Sequence, residues 1–305
     1  MGTAHIQPPP LFSAGDAEDI AYTNLRDEVS VAARTCKQFS EQLWAQYHSY
    51  ADPHFLTEIR RDFGARFWEM YLTCALLEDA PRLGYTVACP KPGPDNLIVY
   101  QGRNVWIEAI VATDGDPAKP DSAVEEHSGT IPDAKILLRY ANAIMAKHAK
   151  YEIYRKDGII KPGDAYVIAI SGAQLSYRWA DPGIPRFLKA VFPLGALEVI
   201  IDRKTGQVVD RRHQFRRAVA KKSGSEVQTD IFVDGQFAGI SAVLHSYANA
   251  LCKPPMSTDF VVAHNPLASQ PVALGVLPSR REYQAADIGD DTYELRCHSG
   301  ACAPP

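Results

Sequence analysis

Apolar residues recur every four positions through Phe55, Ile59, Phe63 and Phe67 and continue with Trp68, Tyr71, Leu72, Ala75 and Leu76. Residues three and four apart are neighbours on a helix surface, so this spacing predicts one long helix with a single apolar face. Asp52-Pro53 offers a cap and first turn for it. Residues Ala17 to Tyr50 hold few breakers and predict an earlier helix, while the first dozen residues, with Pro8-Pro9-Pro10, read as a loose arm. Glu69 falls beside the apolar stripe, where an exposed, helix-favouring acid is the simplest reading.

After Pro81 the period shortens. Tyr85 to Ala88, Leu97 to Tyr100 and Val105 to Ala112 predict a three-stranded antiparallel meander, with Gln101-Gly102-Arg103-Asn104 as a hairpin connection. Side chains alternate along a strand, which puts Trp106, Glu108 and Ile110 on one face and Val105, Ile107, Ala109 and Val111 on the other. Both faces are apolar enough to be covered. A carboxylate at Glu108 then needs a cation, a hydrogen-bond donor or a metal, because an unpaired buried charge is costly. Asp95, in the turn Pro94-Asp95-Asn96, is the nearest candidate to share that partner, although such turns also use the acid to cap nearby amides.

A long loop, 113–133, carries Asp114, Asp116, Asp121, Glu125 and Glu126, and a helix is predicted from Ala134 to Lys156. Ala165 to Ile170 reads as an interior strand beside the meander. Leu197 to Asp202 and Phe260 to His264 are further strands, and Ile184 to Val191 and Ile240 to Leu251 look helical. His264-Asn265-Pro266 is either part of the same cleft as Glu108 or a plain turn. No internal repeat is visible. The expected organisation is an arm and helical extension over 1–52, a core over 53–205 and a C-terminal elaboration over 206–305 packed on the same domain.

With 46% hydrophobic and 22% charged residues in 305, the chain has the composition of a folded globular protein. No apolar run approaches the roughly 20 residues needed to cross a bilayer, and the opening residues lack a basic start followed by an apolar stretch, so a cytoplasmic location is expected. Six scattered cysteines fit reduced thiols. Cys297, His298 and Cys302 are a weak zinc alternative. The net charge of −4 hides two basic stretches: seven bases against two acids over 135–161, and eight against two over 202–222. Either stretch can hold a polyanion or be a solvated face.

Helix, antiparallel meander, helix, strand, with Pro94-Asp95 before one strand and Glu108 in the next, resembles the PD-(D/E)xK nuclease superfamily over about residues 53–171. The resemblance implies an α/β fold, a mixed central sheet flanked by helices in a restriction-endonuclease-like core. It implies Mg²⁺ or Mn²⁺ held by Asp95, Glu108 and the carbonyl of Ala109, with Glu69 as the helical acid some members add. The sequence departs from the pattern at Ile110, where the family places its catalytic lysine. Some members move that base to the following helix, where Lys135 and Arg139 occupy the first turns; both also suit a solvated helix surface. Lys91 is a third candidate, or an ordinary turn lysine.

The expected activity is hydrolysis of phosphodiester bonds in DNA, with Arg211, Arg212, Arg216, Arg217, Lys221 and Lys222 on the backbone of the nucleic acid. A monomer and a homodimer are both open. The rival is a catalytically degenerate nuclease fold that binds nucleic acid or a protein. The chain shows no Gly-x-Ser-x-Gly elbow, phosphate loop, dinucleotide glycine motif or His-Glu-x-x-His, which leaves no specific reason for those chemistries.

Overall fold

The computed structural model describes residues 8–115, 131–178, 184–221, 224–287 and 293–299. At its centre eight strands run in the order β1 (Tyr85–Ala88), β2 (Asn96–Tyr100), β3 (Arg103–Thr113), β4 (Ala165–Gln174), β9 (Ala242–Ser246), β10 (Val261–His264), β11 (Arg281–Asp287), β12 (Tyr293–Ser299). β1, β2 and β3 form an antiparallel meander. β3, β4 and β9 are mutually parallel, and β9–β10 and β11–β12 are antiparallel, which makes the sheet mixed. The protein is therefore an α/β fold with helices on both faces of one large sheet.

Strand alternation separates two cores. Val105, Ile107, Val167, Ala169 and Leu244 pack against α1 (Ile20–Arg26), α2 (Val31–Tyr47), α3 (Phe55–Glu58) and α4 (Phe63–Leu83) on one face. Trp106, Tyr166, Ile168, Ile170 and Val243 pack against α5 (Asp133–Lys156) and α6 (Arg186–Val191) on the other. The sheet is continuous from the stretch 53–205 into 206–305, since β9 pairs directly with β4. Two small ribbons, β5 (Leu194–Ile201) with β6 (Val208–Phe215) and β7 (Ala218–Ala220) with β8 (Glu226–Gln228), stand outside it. Leu197 to Ile201 is thus a strand, but of the outer ribbon.

Three helix boundaries differ from the pattern-based expectation, each for a local reason. The stretch Ala17–Tyr50 breaks in two because Asp19 and Ser30 each cap a separate helix and Glu28 adopts a left-handed backbone between them. The long helix starts at Asp62, whose carboxylate accepts the Ala65 N–H at 2.9 Å, whereas Asp52-Pro53 precedes only the single turn of α3. Ile240–Leu251 is not a helix: its centre is β9, buried at every position between β4 and β10. A strand covered on both faces has a continuous apolar run, which periodicity alone does not distinguish from a buried helix. Among the described residues no helix is long and apolar enough to cross a membrane.

Candidate active site

Glu108 is fully buried in the middle of β3, on the face that α5 covers. Its Oε1 accepts from the ammonium groups of both Lys147, at 2.7 Å, and Lys150, at 2.6 Å. Oε2 is less well served: the Tyr154 hydroxyl lies 3.4 Å from it and 3.3 Å from the Gly93 carbonyl oxygen, sharing one proton between two distant acceptors. Lys147, Lys150 and Tyr154 are spaced three and four apart, which puts them on one side of α5.

These lysines are not the cations expected from the sequence. α5 links the parallel strands β3 and β4, so it runs back against their direction and its later turns lie opposite the middle of β3. At 1.5 Å per residue, Lys147 is about 12 Å along the axis from Arg139 and about 18 Å from Lys135. Arg139 lies instead toward the end of β3, where Asp114 offsets part of the fall in its pKa caused by burial. The cations that meet Glu108 thus come from the middle of α5 and not from its first turns.

Asp95 enters from the turn before β2. Its Oδ2 accepts the N–H of Ala109, the residue after Glu108, at 2.7 Å, which ties the acid of one strand to the backbone of the next. Gly93 permits the turn to pass this close: a Cβ there would lie 3.1 Å from the Trp106 ring. Asn96 anchors the strand start by accepting the Thr73 hydroxyl of α4 at 2.8 Å. Burial, then repulsion from Glu108 and Glu69, raises the Asp95 carboxyl to about 6, with Lys147 and the Ala109 N–H acting the other way. The partly exposed Lys91 lies 3.9 Å from Asp95 Oδ1, at the edge of this cluster.

Glu69 is buried, contrary to the exposed position its pattern predicts. α2 covers the outer side of α4, leaving that helix little solvent face at this level. Its Oε1 accepts the Tyr47 hydroxyl of α2 at 2.7 Å and its Oε2 accepts Arg66 at 2.6 Å. Burial and the neighbouring Glu69 carboxylate push the Tyr47 phenol well above its ordinary range. Glu69 is close enough to raise Asp95, yet both of its oxygens are already occupied.

The remaining candidates lie elsewhere. His264 is three strands from β3, about 14 Å at ordinary strand spacing, and pairs with Glu282 at 2.7 Å, so it is not part of this cleft. Arg211 and Arg212 are adjacent on β6 and face opposite sides of its ribbon, with Arg212 bound to Glu198 at 3.2 Å. Arg216 donates to the Lys189 carbonyl, Arg217 reaches Asp230 at 3.5 Å, and Lys221 follows β7. Lys222, Asp116, Asp121, Glu125, Glu126 and Cys302 lie outside the described residues. Cys297 and His298 are successive on β12 and face opposite sides, which disfavours a shared zinc ion.

Sequence reasoning missed Lys147, Lys150, Tyr154, Tyr47, Arg66 and Asn96. The signal for the first three was present: a buried Glu108 demands cations, and a lysine pair with a tyrosine on one side of the crossover helix supplies them. Among the described residues no group of three or more His, Cys, Asp or Glu side chains is arranged to hold a metal ion. A hydrated Mg²⁺ asks less, only one or two carboxylates, and Asp95 Oδ1 with Glu108 Oε2 are the oxygens least engaged by close donors. No protein-family model, curated protein or solved structure matches this chain.

Proposed function

We propose that the protein is a PD-(D/E)xK-like nuclease that hydrolyses phosphodiester bonds in DNA with the help of Mg²⁺ or Mn²⁺. The observation that carries this reading is the convergence of a turn acid, a strand acid and two helix lysines: Asp95 bonded to the amide beside Glu108, and Glu108 bonded to Lys147 and Lys150. The element order α4, β1–β2–β3, α5, β4 supports it. Ile110 packs against the core on the α5 side, and the ammonium group that the motif lacks comes from α5 instead.

Asp95 and Glu108 would hold the metal, with the carbonyl of Ala109 as a third oxygen and Glu69 reaching it through water. When bound, the ion would lower the pKa of a coordinated water and offset the negative charge that builds on the phosphoryl and leaving oxygens. Lys147 keeps the Glu108 carboxylate in place. Arg211, Arg212, Arg216, Arg217, Lys221 and Lys222 would add sequence-independent attraction for the DNA backbone. The test is incubation with plasmid and with single-stranded DNA in Mg²⁺, Mn²⁺ or EDTA, comparing the protein with Glu108→Gln. Metal-dependent cleavage lost in the variant supports the reading, and cleavage that survives Glu108→Gln refutes it.

One observation favours a second reading, a nuclease-like fold that binds nucleic acid without cutting it. Two lysines on one oxygen already neutralise Glu108. A salt-sensitive gel shift with no cleavage under any of those conditions would select this reading.

A further inference from the structure

Lys147 and Lys150 bond to the same oxygen of Glu108, but they are held differently. The Lys147 side chain is 16% exposed and Lys150 is 46% exposed. The Tyr166 hydroxyl donates to the Lys147 carbonyl at 3.1 Å, while the Lys150 ammonium lies 5.4 Å from the centre of the Tyr154 ring. A buried ammonium that leaves its carboxylate has no water to replace it, whereas a half-exposed one regains hydration, and the buried carboxylate it leaves needs another cation in its place.

We propose that Lys150 is a movable counter-ion, which leaves Glu108 when a divalent cation arrives and carries its charge to a phosphate of the substrate, while Lys147 stays. This rests on the nuclease reading and adds its regulation. Two ammonium groups on one carboxylate oxygen already neutralise it, so a dication must compete with at least one of them. The half-exposed lysine is the one that regains water on leaving, although Glu108 and the Tyr154 hydroxyl both favour its charged form where it sits. Once released, its ammonium is free to bond a phosphodiester oxygen of a substrate held at the metal. Metal and DNA then favour each other's binding: the metal frees the lysine for the phosphate, and the phosphate holds the lysine away from the carboxylate. Such reciprocity follows from linkage.

The test reads metal binding rather than cleavage. Mn²⁺ is titrated at pH 7.5, with the rise in melting temperature as the signal, for the wild type, Lys150→Gln, Lys150→Arg and Lys147→Gln, each with and without a phosphorothioate duplex that resists hydrolysis. The expected result is a Mn²⁺ midpoint about fivefold or more lower in Lys150→Gln, a wild-type midpoint in Lys150→Arg, and a lowering by the duplex that the wild type shows and Lys150→Gln lacks. An equal shift in Lys147→Gln overturns the proposal, because loss of charge alone would then account for it. Midpoints alike in wild type and Lys150→Gln also overturn it and leave the nuclease reading standing. Absence of Mn²⁺ binding in all four proteins overturns both.

Discussion

Two buried glutamates on the same sheet are neutralised in different ways. Glu282, on β11, divides its acceptors evenly: Oε1 takes the Gly275 N–H at 2.9 Å and the Ser279 hydroxyl at 3.0 Å, and Oε2 takes the His264 imidazole at 2.7 Å. Glu108, on β3, is lopsided, with two ammonium groups on Oε1 and a distant phenol near Oε2. The first arrangement is self-sufficient, since every strong acceptor position has a short donor from the fold itself. The second has more positive charge than one carboxylate needs, an under-served oxygen, and a second acid, Asp95, held nearby at an energetic disadvantage. Perturbed acids with uneven partners cluster at functional sites.

The sharpest way to test this contrast is a pair of isosteric changes. Glu108→Gln is expected to lower metal-dependent DNA cleavage by about a hundredfold or more, the scale seen when a group that stabilises transition-state charge is removed, as measured by initial rates on plasmid. Glu282→Gln should leave those rates within about threefold and instead lower stability by about 1–3 kcal/mol, because its amide places a donor against a donor. Denaturant melts of both variants check the second half. Equal losses of activity would erase the distinction.

Asp95 gives a smaller effect with a defined sign. Its carboxyl is raised in the folded protein, so folding favours the protonated form. That contribution is present below the ordinary aspartate range near 3.8 and is lost as pH rises toward about 6. At neutral pH without metal, Asp95→Asn should therefore raise the melting temperature by about 2–4 °C. It should also abolish any stabilisation by Mn²⁺, which in the wild type is expected to grow between pH 5 and 7 as Asp95 ionises. A lower melting temperature for the variant at pH 7 would contradict the strain assigned to this acid. The smallest expected change is at the ribbon: Arg211→Ala should weaken duplex binding similarly for all sequences and reduce the slope of log affinity against log salt by about 1.

How far the site could be read in advance depended on distance along the chain. Asp95 and Glu108 were recognisable because the hairpin that joins them is local and the alternation of β3 exposed the anomaly of an acid among apolar residues. Tyr47 was not, because nothing in the spacing of residues far apart in sequence states which of them will meet. Glu69 shows the same limit from the opposite side. Its helix has a recognisable periodic stripe, but whether the remaining face meets water or α2 is not a property of that helix.

The chain's own pattern thus determined the local geometry: an alternating meander, a crossover helix rich in lysine, and a buried strand acid in need of a counter-charge. Tertiary structure alone decided which cations answer that need, because the antiparallel return of α5 along β3 brings its later turns, not its first, level with Glu108. It also decided that β9 is a strand, since an apolar run covered on both sides has no periodicity to declare its type. Short-range steric and hydrogen-bonding preferences act within a few residues. Neutralising a charge inside a core is settled by whichever groups packing brings within about 3 Å of it.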